Sequence, residues 1–216
     1  MISEVIYLHY LNALLEGNKK ECMQIVVNLI DQKISLKEIY VQLFQRSMYR
    51  IGTMWEKERC GIADEHIATK ITESLIELVN YSFASKERNG KLAVITGIDK
   101  EFHELGAKMV AGYFEASGWD TCFLGSNSPQ SEVLRIIEEK KPNLVGISSS
   151  FYINIMRLIK LIQSIKEKIP DQEILVGGQA LADGRAEGLS KFDNVKYIAS
   201  LNELEEYIVS FQKLDF

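Results

Sequence analysis

The sequence predicts an α/β protein in which an N-terminal four-helix bundle is followed by a doubly wound, five-stranded parallel sheet. In residues 1–84, apolar residues recur at the 3.6-residue period of amphipathic helices, with short interruptions between the periodic stretches. In residues 92–216, short continuous apolar runs alternate with longer amphipathic stretches, which is the pattern of repeated strand–helix units. The polar segment 85–91 contains Asn89-Gly90 and is the expected linker between two domains.

Four amphipathic helices are expected in the N-terminal domain, and the short connections between them favour an antiparallel bundle. Ser35 is the expected N-cap of the third helix, with Glu38 three positions later completing a capping box. The predicted helices span residues 2–15, 19–32, 35–55 and 62–83.

Five apolar runs in the C-terminal domain predict buried strands, because these runs are continuous rather than alternating in polarity. The predicted strands span residues 92–95, 121–124, 144–148, 174–176 and 195–198. The helices predicted between and after them span residues 106–117, 131–139, 153–169, 180–189 and 201–212. Units of this size form a doubly wound parallel sheet, in which ligands bind outside the carboxyl ends of the strands.

The composition excludes several classes of protein. With 25 Lys and Arg residues against 30 Asp and Glu residues, the formal net charge is −5, so no overall positive field recruits nucleic acid. The three cysteines, Cys22, Cys60 and Cys122, are scattered singly and show neither a disulfide framework nor metal-ligand spacing. The N-terminus lacks the features of a signal peptide, and no run approaches the ~20 apolar residues of a membrane helix. We therefore expect a cytoplasmic protein without a DNA-binding domain or a membrane segment.

A candidate metal-ligating residue follows the first predicted strand, in the motif Glu101-x-His103-x-x-Gly106. Glu101 is close enough to accept a hydrogen bond from one ring nitrogen of His103. That bond would fix the tautomer and leave the other nitrogen as a metal ligand. Gly106 has no side chain, so it leaves room for a bulky group to pass. The same loop has no G-x-G-x-x-G pattern, so a dinucleotide site is not predicted.

Two further motifs stand downstream, each beginning in a predicted strand: Val145-Gly146-Ile147-Ser148-Ser149-Ser150 and Val176-Gly177-Gly178. Together with Glu101-x-His103-x-x-Gly106, they resemble the signature of cobalamin-binding domains, which opens with an acidic residue, x, His, x, x and Gly. The commonest form of that signature has Asp at the first position, and the longer Glu101 still reaches the His. The resemblance implies the flavodoxin-like cobalamin-binding fold.

The resemblance also implies a role for each motif residue. His103 replaces the cofactor's own dimethylbenzimidazole as the lower ligand of cobalt, and the acidic residue, the His and a Ser form a linked set. Ser148 is expected to approach His103 or the nucleotide base, with Ser150 as the second member of the pair. Gly177-Gly178 lets the displaced nucleotide tail lie against bare backbone. Residues 124–127, after the second strand, are a less specific candidate for contact with the cofactor's edge.

A motif at the junction of the third and fourth predicted helices, Trp55-x9-Glu65-His66, resembles the cap of B12-dependent photoreceptors and their relatives. There the bundle covers the upper face of the corrin. The resemblance therefore implies that Trp55 packs against the adenosyl or other upper group and that Glu65 and His66 line the same pocket. Taken singly, Trp55 is equally consistent with a core aromatic residue, and Glu65 with a first-turn acid favoured by the helix dipole. Glu56 stands where some light-responsive members carry a second His that takes the upper position of cobalt.

These observations favour a non-catalytic cobalamin-binding sensor that reads the upper axial ligand, with light as one candidate signal. The alternative is the corrinoid methyl-carrier subunit of a methyltransferase system, which has the same bundle and α/β plan. A passive cofactor store is a third and weaker interpretation. The sequence shows no catalytic acid, base or nucleophile set of its own, so any chemistry is the cofactor's. Adenosylcobalamin is the expected form and methylcobalamin the alternative, with a protein partner or self-association expected.

Overall fold

The computed structural model describes residues 1–182 and 184–213 and divides the chain into two units, Met1–Phe83 and Ala84–Phe216. The predicted fold class is confirmed, because a helical N-terminal unit precedes a five-stranded, all-parallel sheet flanked by helices. The last three residues of the predicted C-terminal domain, 214–216, lie outside the described part of the chain. Among the described residues, no helix has the length and apolar character needed to cross a membrane.

The N-terminal unit is a helical bundle whose third member is irregular. Its helices are α1 (Glu4–Leu15), α2 (Lys19–Asp31), α3 (Leu36–Glu38), α4 (Arg46–Glu56) and α5 (Ile62–Phe83). A π-helical segment, Ile39–Gln45, joins α3 to α4 without a break, so the predicted third helix is one rod with a wider central turn. The long helix α5 packs against α1, α2 and α4.

The predicted capping box at Ser35 is only half correct. The Ser35 hydroxyl accepts the N–H of Glu38 at 3.2 Å, as an N-cap should. The Glu38 carboxylate does not complete the box, because it accepts instead from the backbone N–H of Ile2 at 2.5 Å and lies 3.1 Å from the amino terminus of Met1. The Ile2 N–H and the cationic amino terminus of Met1, 36 and 37 residues away in sequence, outcompete the local partner, and the sequence pattern could not show them.

The C-terminal unit is a parallel sheet with strand order β2-β1-β3-β4-β5. The strands are β1 (Leu92–Gly97), β2 (Asp120–Gly125), β3 (Leu144–Ser148), β4 (Ile174–Gly177) and β5 (Val195–Tyr197). The helices are α6 (Leu105–Ala116), α7 (Gln130–Lys140), α8 (Ile155–Lys168) and α9 (Leu201–Lys213). The strand order reverses between β1 and β3, and a doubly wound sheet binds ligands at such a switch point. Gly97 pairs with Ser148 there, so the loops after β1 and β3 leave the sheet side by side.

The helix predicted over residues 180–189 is wrong. Two short 3-10 helices, Gln179–Leu181 and Arg185–Leu189, occupy this stretch, and residue 183 within it lies outside the described chain. Gly184 between them has a φ of +82°, a left-handed conformation that an α-helix cannot contain. The buried side chains Ala180, Leu181 and Leu189 explain the misleading apolar pattern, since they face the core without helical geometry.

Candidate functional site

The loop between β1 and α6 brings a buried carboxylate against an exposed imidazole. Glu101 Oε1 lies 2.8 Å from Nδ1 of His103 and also accepts the backbone N–H of His103 at 3.2 Å. The Glu101 side chain is inaccessible to solvent, whereas the His103 ring is 57% exposed. Because an ionised carboxylate only accepts hydrogen bonds, the proton of this contact lies on Nδ1 of His103. The contact predicted from the two-residue spacing is therefore present.

The second oxygen of Glu101 ties this loop to the one that follows β3. Oε2 accepts the backbone N–H groups of Ser150, at 2.8 Å, and of Phe151, at 3.2 Å. Burial by itself raises the pKa of the Glu101 carboxyl. The hydrogen bonds from the His103 ring and from the backbone N–H groups of Ser150, His103 and Phe151 outweigh burial and lower that pKa to about 2. The carboxylate is consequently ionised at neutral pH and anchors both loops at the switch point.

The resemblance led us to expect a serine hydroxyl in this linked set, and the observed link is different. Among the residues that the structure describes, those that donate to the Glu101 carboxylate are the His103 ring and three backbone amides, not the hydroxyl of Ser148 or Ser150. The partner from the β3 loop is the peptide backbone itself. The acidic residue, the His and the serine-rich loop are therefore joined through the backbone amides of Ser150 and Phe151.

The loop after β2 supports the His103 loop from the other side. Asn127 donates its backbone N–H to the carbonyl oxygen of Glu101 at 2.7 Å, and its Oδ1 accepts the N–H of Lys100 at 2.9 Å. Glu104 Oε2 accepts the N–H of Ser126 at 3.1 Å. Asn127 thus anchors the His103 loop, a role different from the contact with the cofactor's edge that was expected of residues 124–127. The available signal was an Asn directly beyond a strand end, since Asn tolerates the left-handed φ of 52° adopted here.

The glycines of the site serve different purposes. Gly178 has a φ of +104°, and a Cβ there would lie 2.1 Å from the carbonyl oxygen of Ser149, so only glycine fits. By contrast, a Cβ on Gly106 would meet no described heavy atom within 4 Å, and Gly177 would have only an ordinary contact at 3.7 Å. Gly106 is exposed in the first turn of α6. The protein's own packing therefore does not require glycine at 106 or 177, and the Cβ position of Gly106 faces open space.

Comparison with known proteins decides what kind of ligand this is. A B12 binding domain model matches residues 91–198, and a second B12 binding domain model matches residues 9–80. The chain belongs to the B12-binding domain family. The prediction of a cobalamin-binding protein with a helical N-terminal domain and a Rossmann-like domain is confirmed. The likeness to photoreceptors stays a prediction.

Relatives of this B12-binding protein include a corrinoid protein of Desulfitobacterium hafniense (strain Y51), which is 20% identical over 173 residues. That match covers 77% of this chain and 80% of the relative. The fold is similar to the monomethylamine corrinoid protein of Methanosarcina barkeri, with a TM-score of 0.82, 14% identity and coverage of 97% of this chain and 100% of that one. It is also similar to a chain of the methanol:cobalamin methyltransferase complex MtaBC of the same organism. There the TM-score is 0.50, the identity 14% and the coverage 96% of this chain and 81% of that one.

The donor chemistry of the B12-binding protein fits cobalamin. Within the described residues, no group of three or more His, Cys, Asp and Glu side chains is arranged to hold a metal ion. A single imidazole suits a metal whose other ligands come from a macrocycle, because the protein then supplies only an axial position. His103, with its ring exposed and its Nδ1 held by Glu101, has the properties of such an axial ligand.

The buried hydroxyl of Ser149 is a further candidate for contact with the cofactor. Ser149 is fully buried, and its Oγ has no hydrogen-bond partner among the described residues, which is costly for a buried hydroxyl. Its backbone is fully engaged, with its N–H donating to Gly177 and its carbonyl accepting from Ala180. The resemblance assigns roles to Ser148 and Ser150 but none to Ser149. Its position in the serine run was visible in the sequence, but its burial was not.

The cap motif lies in the N-terminal unit. Trp55 is the penultimate residue of α4, and its side chain is 47% exposed, so it is not a core residue. Glu65 lies in the first turn of α5, and His66 follows it directly. Glu65 accepts from Thr69 Oγ1 at 2.8 Å, and its other oxygen lies 3.7 Å from His66 Nε2. His66 borders a shallow surface groove of about 350 Å³ on this unit. The other residues that line it are Gly17, Lys19, Ile67, Lys70 and Ile71.

Proposed function

We propose that this chain is the corrinoid carrier subunit of a methyltransferase system. The observation that carries the proposal is the Glu101–His103 pair, in which a buried, ionised carboxylate holds an exposed imidazole at the switch point of the sheet. Cobalamin, when bound, supplies a cobalt centre that can accept a methyl group from one partner enzyme and release it to another. The protein's part is to hold that centre and to tune it through the axial nitrogen.

The residues proposed to hold cobalamin are those of the three motifs, and the Glu101–His103 contact supports the first of them. His103 is proposed to offer Nε2 as the lower ligand of cobalt, and the Glu101 carboxylate holds the ring by accepting a hydrogen bond from Nδ1. Ser148 and Ser150 are proposed to meet the nucleotide end of the cofactor. Gly106 and Gly177 are proposed to leave room for its tail, which the open position at Gly106 supports, whereas Gly178 is already required by its close approach to Ser149.

The names of the relatives and similar structures favour the carrier function over the sensor function. One relative is named as a corrinoid protein, one similar structure is a monomethylamine corrinoid protein, and another belongs to a methanol:cobalamin methyltransferase complex. On this proposal the native form is methylcobalamin, and the protein partners are methyltransferases. The domain boundaries proposed for it are a bundle at 1–84, a linker at 85–91 and a cobalamin-binding domain at 92–216.

A sensor that reads the upper ligand is the second candidate, and the cap motif favours it. Trp55 is 47% exposed and the His66 side chain is 69% exposed, so both are available to a ligand. A sensor needs a difference in binding free energy between two forms of the cofactor, and Trp55, Glu65 and His66 are the residues proposed to supply it. Adenosylcobalamin would be its native form.

The first experiment tests cobalamin binding itself. His103→Ala should weaken the binding of cobalamin and change the absorption spectrum of the cobalt centre. His9→Ala is the matched control, because His9 is an exposed histidine of α1 whose ion-pair partner is Glu21. Unaltered affinity and spectrum in His103→Ala would show that the lower-ligand assignment is wrong.

The second experiment separates the carrier from the sensor. Purified protein loaded with methylcobalamin is mixed with candidate methyltransferases, and loss of the methyl group is followed by absorbance. The adenosyl form is illuminated with green light and examined by gel filtration and small-angle scattering. Methyl transfer with no light-induced change in size or scattering supports the carrier. A light-induced change in size or scattering without methyl transfer supports the sensor instead.

A further inference from the structure

Phe151 touches both members of the Glu101–His103 pair. Its ring lies 4.6 Å from the His103 ring, centroid to centroid, at an interplanar angle of 83°. Its backbone N–H donates to Glu101 Oε2 at 3.2 Å. One residue, 48 positions beyond His103, therefore contacts the carboxylate with its main chain and the imidazole with its side chain.

The two contacts constrain different motions of the imidazole. The hydrogen bond between Glu101 Oε1 and Nδ1 fixes one atom of the ring but leaves the ring plane able to turn about that bond. An edge-to-face contact between aromatic rings restrains the plane, because the ring quadrupoles favour this arrangement. The direction in which Nε2 points depends on both the fixed atom and the plane.

We propose that Phe151 is a positioning residue that sets the orientation of the His103 ring, and through it the strength of axial ligation in bound cobalamin. The inference rests on the proposed role of His103 as the lower ligand. Phe151 is 51% exposed, so its ring is not a core element whose main role is to stabilise the fold. Phe102, adjacent to His103 in sequence, is more exposed at 70%, and the described part of the chain records no ring contact between it and His103.

The test compares Phe151→Leu with Phe102→Leu in the full-length chain. Both variants remove an exposed ring and keep an apolar side chain, but only the first removes the ring against His103. Each is loaded with cobalamin reduced by one electron, after growth with nitrogen-15-labelled histidine. The splitting of the electron paramagnetic resonance lines then shows whether a histidine nitrogen lies on the cobalt. Dissociation constants are measured on the same samples.

We expect wild type and Phe102→Leu to show splitting from a histidine nitrogen, whereas Phe151→Leu shows a mixture of ligated and unligated cobalt. Phe151→Leu should bind cobalamin roughly 3- to 10-fold more weakly, the range expected for loss of one edge-to-face pair. Phe151→Tyr keeps the ring and should restore both the splitting and the affinity.

Three results would go against these ideas, and they are distinguishable. If Phe151→Leu keeps the wild-type splitting and affinity, Phe151 does not position His103. If Phe102→Leu loses the histidine splitting to the same degree, the effect is not specific to the ring contact and the inference is also wrong. If wild type binds cobalamin without histidine splitting, or does not bind it, the proposed role of His103 fails instead. Circular dichroism of the unloaded variants checks that each is folded.

Discussion

Glu101 and His103 are joined by a 2.8 Å contact, yet one side chain is wholly buried and the other is mostly exposed. A buried anion is costly unless it is fully hydrogen-bonded, and Glu101 meets that condition through the His103 ring and three backbone amides. The arrangement therefore secures an imidazole at the surface without making it part of the core. This arrangement suits a ligand that binds a single, firmly held imidazole nitrogen.

Replacing the carboxylate should weaken the binding of cobalamin without abolishing it. In Glu101→Gln the amide cannot accept hydrogen bonds through both of its polar atoms, so either the His103 ring or the β3-loop amides lose their acceptor. We expect affinity to fall by roughly 10- to 100-fold, as is typical when the partner of a metal-ligating His is changed. Equilibrium titration followed by absorbance measures it, with Glu132→Gln, an exposed glutamate of α7, as the control. Wild-type affinity in Glu101→Gln would contradict the coupling of this pair to the cofactor.

The same carboxylate should make the stability of the cofactor-free protein depend on pH. The folded-state pKa of Glu101 is about 2, below its ordinary value of 4.5, so the ionised carboxylate stabilises the fold at pH values above about 5. That contribution, up to ~3 kcal/mol, is lost as the pH falls from about 5 toward 2. Urea unfolding of wild type and Glu101→Gln should therefore show a larger difference in unfolding free energy at pH 7 than at pH 3. An equal difference at both pH values would argue against a lowered pKa.

Gly178 should be irreplaceable for the fold itself. In Gly178→Ala the new Cβ would lie 2.1 Å from the Ser149 carbonyl oxygen, and the φ of +104° is strained for any L-residue. We expect the free energy of unfolding to fall by about 2–4 kcal/mol. Gly188→Ala is the matched control, because no described atom lies within 4 Å of that Cβ position, and its loss should stay below ~1 kcal/mol. Similar losses in both variants would show that the close approach to Ser149 is relieved by backbone movement.

Ser149→Ala separates stability from binding. Because its buried hydroxyl has no described partner, removing it should leave the cofactor-free protein as stable as wild type or raise its stability by up to ~1 kcal/mol. If the hydroxyl serves the cofactor, cobalamin affinity should fall roughly 3- to 10-fold. Ser128→Ala is the contrast, since the Ser128 hydroxyl donates to the Leu124 carbonyl at 3.3 Å and its loss should destabilise the protein. Unchanged cobalamin affinity in Ser149→Ala would remove the hydroxyl from the candidate site.

A Trp55 variant tests whether the helical bundle distinguishes between different upper ligands of cobalt. If it does, Trp55→Ala should lower the preference for adenosylcobalamin over methylcobalamin while the histidine ligation to cobalt persists. Tyr49→Ala is the control, because Tyr49 is an exposed aromatic residue of the same helix, at 52% against 47% for Trp55. Competition binding with the two cofactor forms measures the preference. An identical ratio of affinities in wild type and Trp55→Ala would leave Trp55 without a role at the upper face.

Features that depend on neighbours in sequence were predictable from the sequence alone. The bounds Ile62–Phe83 and Leu144–Ser148 follow from apolar periodicity and from a continuous apolar run, and both match the structure. The Glu101–His103 contact needed only a two-residue spacing in a loop, and the Ser35 cap only a three-residue spacing. In each case the interacting groups are held close by the chain itself, so the pattern of residue types suffices.

Features that depend on distant partners were decided by tertiary structure. The other half of the Glu101 network comes from Ser150 and Phe151, 49 and 50 residues away, and becomes possible only because β1 and β3 are adjacent in the sheet. Likewise, the Glu38 carboxylate accepts from the N–H of Ile2 instead of completing the capping box at Ser35. The conformation of Gly184 prevented a helix that the apolar pattern favoured. Local patterns record propensity and burial, whereas these outcomes depend on which backbone groups the folded sheet and bundle bring within hydrogen-bonding distance.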